Sequence, residues 1–360
     1  MSTTHGSNGA TALLSAQTNE PGQLVEAHAR GIWSEIVDLA RWAPSPHNTQ
    51  PWLVKLITPE IAELYAPGER LLPVEDPDGR FETAAQGIFI EALDISAGKF
   101  GLTVDAAPLF PALGADANER PLVARLRLCP RKEPVRFAAE LLERRRTSRI
   151  PYDGKPVDQQ ALAELAAIAA EFAHQASFTS DPALVDWVLS LNADTVFYDL
   201  DENDRREEIG RWTHTSQRMA YARRDGFSPR GLGFPALLVR LFFHRHGVFR
   251  LGAVRALSRR LYLRSMRGTT TVGWIAGPWS TPADWLAAGR MLFRFWLTLT
   301  ARGLHLQPFG SVITSPTSHA RLAERLQVRE GEREIWLLLR IGSGPEPPRS
   351  ARRPAVEMFA

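Results

Sequence analysis

Two short stretches hold the residue types that could do chemistry. In the first, Pro44, Pro46 and Pro51 each fix φ at their own position. Ser45, His47 and Asn48 are therefore displayed on a backbone with little entropy left to lose on binding. Such a loop suits a planar polar ligand. By composition alone it also fits a proline-rich turn in which Asn and Ser cap nearby backbone. In the second stretch, Arg144, Arg145 and Arg146 are followed by Thr147, Ser148 and Arg149. Guanidinium forks beside a hydroxyl match the geometry of a phosphate. The same cluster, taken by itself, also fits a solvated helix end whose cations complement the macrodipole.

Elements that would position these residues are readable on either side. Ile32, Trp33, Ile36, Val37, Leu39 and Ala40 recur at helical spacing, and Pro44 ends that helix by barring its predecessor from the α region. Residues 52–57 and 61–65 read as short strands, with turns at Pro67–Gly68 and at 76–80. A helix over 88–100 closes at Gly101, and 122–128 alternates like a half-buried strand until Cys129 and Pro130. A second helix from about Val135 runs into the arginine cluster, and 160–172 forms another. Two helices over 182–211, with the acidic run 199–208, read as scaffold. Residues 270–276 read as a central strand. Thr281 then caps a helix with Pro282 at its first position. Its apolar residues surround nearly the whole circumference, which predicts a buried central helix, with Gly289 allowing another helix to approach closely. Residues 335–339 form a continuous apolar strand.

At 360 residues and 44% hydrophobic, the chain can bury a sizeable core and has room for two units of ordinary domain size. The single Cys129 excludes an internal disulfide framework and a Cys-based metal site. His244 and His246 fit a surface or lid better than a metal pair, so no metal is expected. Residues 1–24 read as a disordered tail with no signal-peptide pattern. No apolar run reaches the roughly 18 residues needed to span a bilayer. Cytoplasmic residence is the expectation. A formal charge of +3 is too small to imply nucleic acid. Between Asp225 and Asp284 there is no acidic residue, while nine arginines alternate with apolar groups. That stretch could lie weakly on an anionic membrane through 230–267, cover an acidic partner, form a peripheral helical pair, or close over a phosphate-bearing ligand.

The first stretch resembles the loop of the nitroreductase-like flavoproteins, in which A-R-x-A-P-S ends a helix and x-x-N-x-Q-P-W leads into a strand. Ala40, Arg41, Ala43, Pro44, Ser45, Asn48, Gln50, Pro51 and Trp52 match it. The second resembles the family's R-R-S-x-R segment, through Arg145, Arg146, Thr147, Ser148 and Arg149, then Tyr152 and Pro156–Val157, with Thr147 where serine is usual and one extra residue before Pro156. Gly303–Leu304 and Gln307–Ser311 approximate a later family turn, and Arg352 and Arg353 resemble its terminal basic pair. A solvated, mobile tail fits Arg352 and Arg353 equally well on their own.

In the family the basic segment precedes the loop, and two subunits share each site. Here the loop comes first. The resemblance therefore implies a single-chain pseudo-dimer similar to the Acg-type branch: an α+β protein of two tandem degenerate units, each a mostly antiparallel sheet flanked by helices. The expected divisions are 25–135, 136–345 with a basic lid or insertion over 223–268, and a tail from 346. The family likeness implies one FMN, with Arg145, Arg146, Thr147, Arg149, Arg352 and Arg353 toward its phosphate and Pro44, Ser45, Pro46, Asn48 and Pro308, Phe309, Gly310, Ser311 around its ring. It implies no catalytic side chain, because the reactive atom is flavin N5. Electrons would pass from NADH or NADPH to a nitroaromatic, quinone or conjugated small molecule. The alternative is a lidded flavin-storage protein. The fused chain would be a monomer or would pair again.

Overall fold

The computed structural model describes residues 21–113, 118–244, 247, 251–328 and 333–360. Helix α1 (Pro21–Ala40) starts inside the stretch expected as tail, and residues 1–20 lie outside the described ones. So do Arg245, His246, Val248, Phe249 and Arg250 of the basic stretch. After α1 come β1 (Leu53–Leu56), β2 (Ile61–Tyr65), α2 (Arg80–Gly98), β3 (Leu102–Pro108) and β4 (Leu122–Pro130). The strands pair antiparallel in the order β1-β2-β4-β3.

The short α3 (Glu140–Arg144) leads to α4 (Gln159–Ala170) and β5 (Gln175–Thr179). Among the described residues there follow α5 (Pro182–Asp199), α6 (Asn203–Arg211), α7 (Gln217–Arg223), α8 (Pro229–Leu232), α9 (Ala236–His244) and α10 (Gly252–Ser265). Then come β6 (Thr271–Gly277), α11 (Pro282–Ala301), β7 (His305–Pro308), α12 (Gly310–Thr314), α13 (Pro316–Leu326) and β8 (Glu334–Gly342). These strands pair antiparallel as β5-β6-β8-β7. The two sheets thus share one permutation, and α2 and α11 occupy the same place in each. The chain is α+β, built of two tandem units. In the first unit a tight turn joins the first two strands, whereas in the second the equivalent connection carries α5 to α10. The stretch 223–268, expected as a lid or insertion, lies within this connection.

Three expectations about single elements are corrected. Helix α2 starts at Arg80, well before residue 88, because the Asp76 carboxylate accepts the N–H groups of Arg80 (2.9 Å) and Glu82 (2.8 Å) and so caps the added turns. The helix expected from Val135 forms only at Glu140, since Phe137 is drawn into the core ahead of it. Strand β3 was not anticipated. Its Asp105, Ala106 and Ala107 favour strand weakly, and a full ladder with β4 holds them there.

One hydrophobic core runs through both units, from Trp33 and Phe89 to Trp296 and Trp336. At its centre α2 crosses α11, which carries the expected Thr281 cap as a reciprocal box with Asp284. The two helices meet through glycines. A Cβ on Gly87 would lie 2.0 Å from the Leu286 carbonyl oxygen, and one on Gly289 would lie 1.9 Å from that of Ala84. Buried Glu91 on α2 accepts from Arg290 (2.8 Å) and from Arg294, both on α11, and so fixes the rotation of one helix against the other. No described helix is long and apolar enough to cross a membrane.

Because backbone, not a movable side chain, blocks the space at Gly289, Gly289→Val should destabilise the chain by about 3 kcal/mol. A urea midpoint shift with unchanged slope measures it.

Candidate functional site

A cavity of about 380 Å³ lies between the two units. Ala84, Ala85 and Ile88 of α2 and Leu292 and Trp296 of α11 form its inner wall. Pro44, Ser45, Pro46 and Asn48 reach it from the first unit; Thr147, Arg149, Pro308, Phe309, Gly310, Ser311 and Arg352 reach it from the second. The structure therefore brings together all three motifs read from the sequence and one of the two terminal arginines. Arg145, Arg146 and Arg353 are not among its lining residues.

The proximity of Thr147 to the Pro308 turn is a backbone matter. Thr147 bridges to Leu306 in parallel fashion, and the Ser148 N–H donates to the Leu306 carbonyl (3.0 Å), adding the basic segment to the edge of β7. Fully buried Arg340 secures the arrangement from β8. It donates to Ser148 O (3.2 Å), Ile150 O (3.0 Å), Gln307 Oε1 (2.8 Å) and Thr269 Oγ1 (3.0 Å), and lies over the Tyr152 ring. Phe309 N–H is used by the Leu338 carbonyl (2.8 Å), so free backbone donors at this turn can start only at Gly310.

A group of arginines that includes Arg145 of the basic segment lies against two tryptophans. Arg41, Arg349 and Arg352 lie 4.8, 3.6 and 6.0 Å from the Trp42 ring centre, and Arg145 lies 4.5 Å from that of Trp296. Arg145 and Arg352 are buried, with no carboxylate partner among the described residues. Arg145 Nε and Nη1, Arg146 Nε, Arg352 Nε and Ser148 Oγ are buried without a hydrogen-bond partner. Burial, then Arg352 and Arg146, holds the Arg145 guanidinium well below its usual range. Burial and the neighbouring Arg349, Arg146 and Arg41 bring Arg352 down to about 9. Burial likewise brings Arg149, which stacks 4.8 Å over Phe227, to about 10. Buried like charges with unused donors are costly unless an anion joins them. The terminal residues are thus not a solvated tail. Arg353 differs from Arg352: its N–H donates to Gln50 Oε1 (2.9 Å), and its guanidinium turns to Glu357.

The proline loop is strained and knotted. His47, Asn48 and Gln50 have φ of 46°, 58° and 53°, a region costly for residues other than glycine. Ser45 Oγ accepts from Gln50 N–H (2.9 Å). Asn48 Nδ2 donates to Gly226 O and Ala351 O (both 3.1 Å), and Gln50 Nε2 to Arg224 O (2.8 Å). These two amides tie the loop to the root of the inserted helices and to the C-terminal segment. Asn48 Oδ1 stays buried and unpartnered.

Sequence reasoning missed the other end of the cavity. The helices read as scaffold supply Asn192, Phe197, Asp199 and Ile209 to its lining. His47 Nε2 lies 2.7 Å from Glu75 Oε2. Burial alone would lower this imidazole, but Glu75 and Glu208 together raise it despite Arg149. Burial would raise the Glu75 carboxyl, but His47 holds it below its usual value. Asp76 and Asp199, both in the lining, are each raised to about 6, chiefly by burial. Phe227, Leu232, Phe234, Val239, Phe242 and Phe243 cover this end. The signals available were the pairing of His47 with a motif asparagine and the phenylalanines amid the basic stretch.

The site is therefore one interunit cavity, cationic at one end and aromatic with a histidine–carboxylate pair at the other. Among solved structures, the chain is similar to the FMN-dependent nitroreductase NfnB from Mycobacterium smegmatis in complex with NADPH, at 16% identity, with 59% of this chain and 93% of that one covered and a TM-score of 0.35. It is also similar to a nitroreductase with bound FMN from Bacteroides fragilis (12% identity, 59% and 91% covered, TM-score 0.34). A third is the FMN and NADPH-dependent nitroreductase NfnB from sphigopyxis sp. strain HMH (19% identity, 59% and 94% covered, TM-score 0.34). No family model matches the chain, and no curated protein does.

Glu82, next to this acidic end, is buried with neither oxygen hydrogen-bonded, and burial, then Asp76, Glu208 and Glu75, raise its carboxyl well above 4.5. Its stabilising contribution is fully present below that unfolded value and lost as pH rises from there toward the folded one. Glu82→Gln should thus melt at least ~2 °C higher than the parent at pH 8, a gap that closes toward pH 4.5 in thermal scans.

Proposed function

We propose that the chain is an FMN-dependent oxidoreductase of nitroreductase-like descent, in which a single-chain pseudo-dimer encloses one flavin. The observation that carries this reading is the convergence, in one interunit cavity, of the proline–asparagine loop, the Thr147 segment, the Pro308 turn and Arg352, whose buried Nε is unused. When bound, FMN supplies two-electron chemistry at its N5 atom. The chain's part is to hold and orient it. Arg352 and Thr147, backed by Arg145 and Arg146, would hold the phosphate, and their unpaired N–H groups fit an anion of that kind. Pro44, Pro46, Ser45 and Asn48 would frame the ring from one unit, with Asn48 Oδ1 as an unused acceptor. Pro308, Phe309, Gly310 and Ser311 would frame it from the other. Arg149 fits a place between the two ends. Arg353 supports the site through Gln50.

NADH or NADPH would be the electron donor, and a nitroaromatic, quinone or conjugated small molecule the acceptor. Residence in the cytoplasm and a monomeric or re-paired state are part of the same reading. A second reading, a flavin store with little turnover, is favoured by the phenylalanine cover over the cavity. Anaerobic addition of NADPH to the purified yellow protein separates the two, since bleaching supports the enzyme and persistent colour the store.

Arg352→Glu places a carboxylate where the anion should bind. It should weaken FMN binding by about a hundredfold, equivalent to one or two charge-assisted hydrogen bonds. FMN should raise the melting temperature of the parent and leave that of the variant unmoved. Undiminished flavin content in the variant would contradict the phosphate assignment.

A further inference from the structure

We propose that His47, clamped by Glu75, is the specificity-determining anchor of an acceptor subsite in this cavity, one that admits an aromatic molecule through a neutral oxygen and rejects its carboxylate counterpart. This deepens the oxidoreductase reading and rests on it only in calling the ligand an electron acceptor.

The argument starts from the two ring nitrogens. Nε2 faces Glu75 at 2.7 Å, whereas Nδ1 is buried, has no partner and belongs to a residue lining the cavity. An imidazolium held through Nε2 by a carboxylate has one remaining donor, Nδ1–H, and it calls for an acceptor from the ligand. Backbone strain at His47 keeps the ring in this place, and such strain persists where the surroundings over-determine it.

The neighbours of His47 decide which acceptor fits. Its ring centre lies 5.1 Å from that of Phe227, and Phe197, Phe234, Phe242 and Phe243 line the same end, so the body of the ligand is flat and apolar. The charged groups that act on the ring are Glu75, Glu208 and Arg149, and Asp76 and Asp199 also line the cavity. Glu208 is held in place by the N–H groups of Val74 (3.0 Å) and Glu75 (2.8 Å). Glu75 already balances the positive charge of His47. The site therefore offers a hydrogen bond without net positive charge, and an incoming carboxylate meets the field of Glu75 and Glu208.

Nitro and carboxylate groups share a planar shape and differ in charge, so 1-nitronaphthalene and 1-naphthoate are matched probes. Calorimetric titration of the full chain, in phosphate buffer to occupy the arginine end and without NAD(P)H, reads binding apart from turnover. The parent should bind 1-nitronaphthalene at least about tenfold tighter than 1-naphthoate. His47→Asn, chosen because asparagine tolerates the left-handed backbone, should bring the ratio close to one without changing the visible flavin absorbance. Glu75→Gln removes the carboxylate that repels 1-naphthoate and should narrow the preference at pH 6, and further as the pH falls and the imidazole charges without its partner, a pH dependence that loss of packing would not produce. Imidazole NMR should show His47 doubly protonated above pH 6.5 in the parent. A parent that binds both probes equally or prefers 1-naphthoate, or ratios unmoved in both variants, would overturn the assignment. A colourless chain that keeps the ratio and its loss on substitution would sink the flavoenzyme reading and leave the role of His47 standing.

Discussion

The site depends on how closely two helices approach. Where α2 crosses α11, Gly87 and Gly289 bring backbone against backbone, and Glu91 between Arg290 and Arg294 sets the angle at which each helix presents its side chains. The faces turned into the cavity, Ala84, Ala85 and Ile88 on one helix and Leu292 and Trp296 on the other, are the same faces that join the units. Spacing between the halves and width of the cavity are thus one quantity. The strained loop of the first unit forms part of the lining of that hollow.

Against this rigid centre the arginine group is an electrostatic liability. Arg145 and Arg352 are buried beside other cations, and the tryptophans beneath them supply π faces in place of counter-charges. Packing at the helix crossing has to offset that cost whenever no anion is present. Arg340 shows the contrasting solution: equally buried, it meets neutral acceptors with its donors and serves to fix the segment that carries Thr147. One arginine is structural because its partners are built in; the others are left to receive a partner from outside.

What could be read from the sequence follows from how local each cause is. Thr281 with Pro282, the glycine in the central helix and the proline loop all act over a few residues, and each is found where expected. Causes acting across the chain were hidden. The start of α2 depends on Asp76, β3 exists because β4 runs beside it, and Arg352 is buried beside Trp42. Arg349 and Arg41 join Arg352 at that same ring. Asp199 read as part of an acidic scaffold run, and only the folding of α5 against the cavity brings it into the lining. A lone arginine in the apolar run of β8 was the one local sign of Arg340.

Both walls of the hollow belong to one polypeptide, in fixed proportion. Were they contributed by separate molecules, every dilution would loosen the pocket before its occupant left. Here both walls stay together on dilution, because a single chain supplies them. The price of that constancy is redundancy: damage to either copy of the repeat has no intact twin to compensate for it.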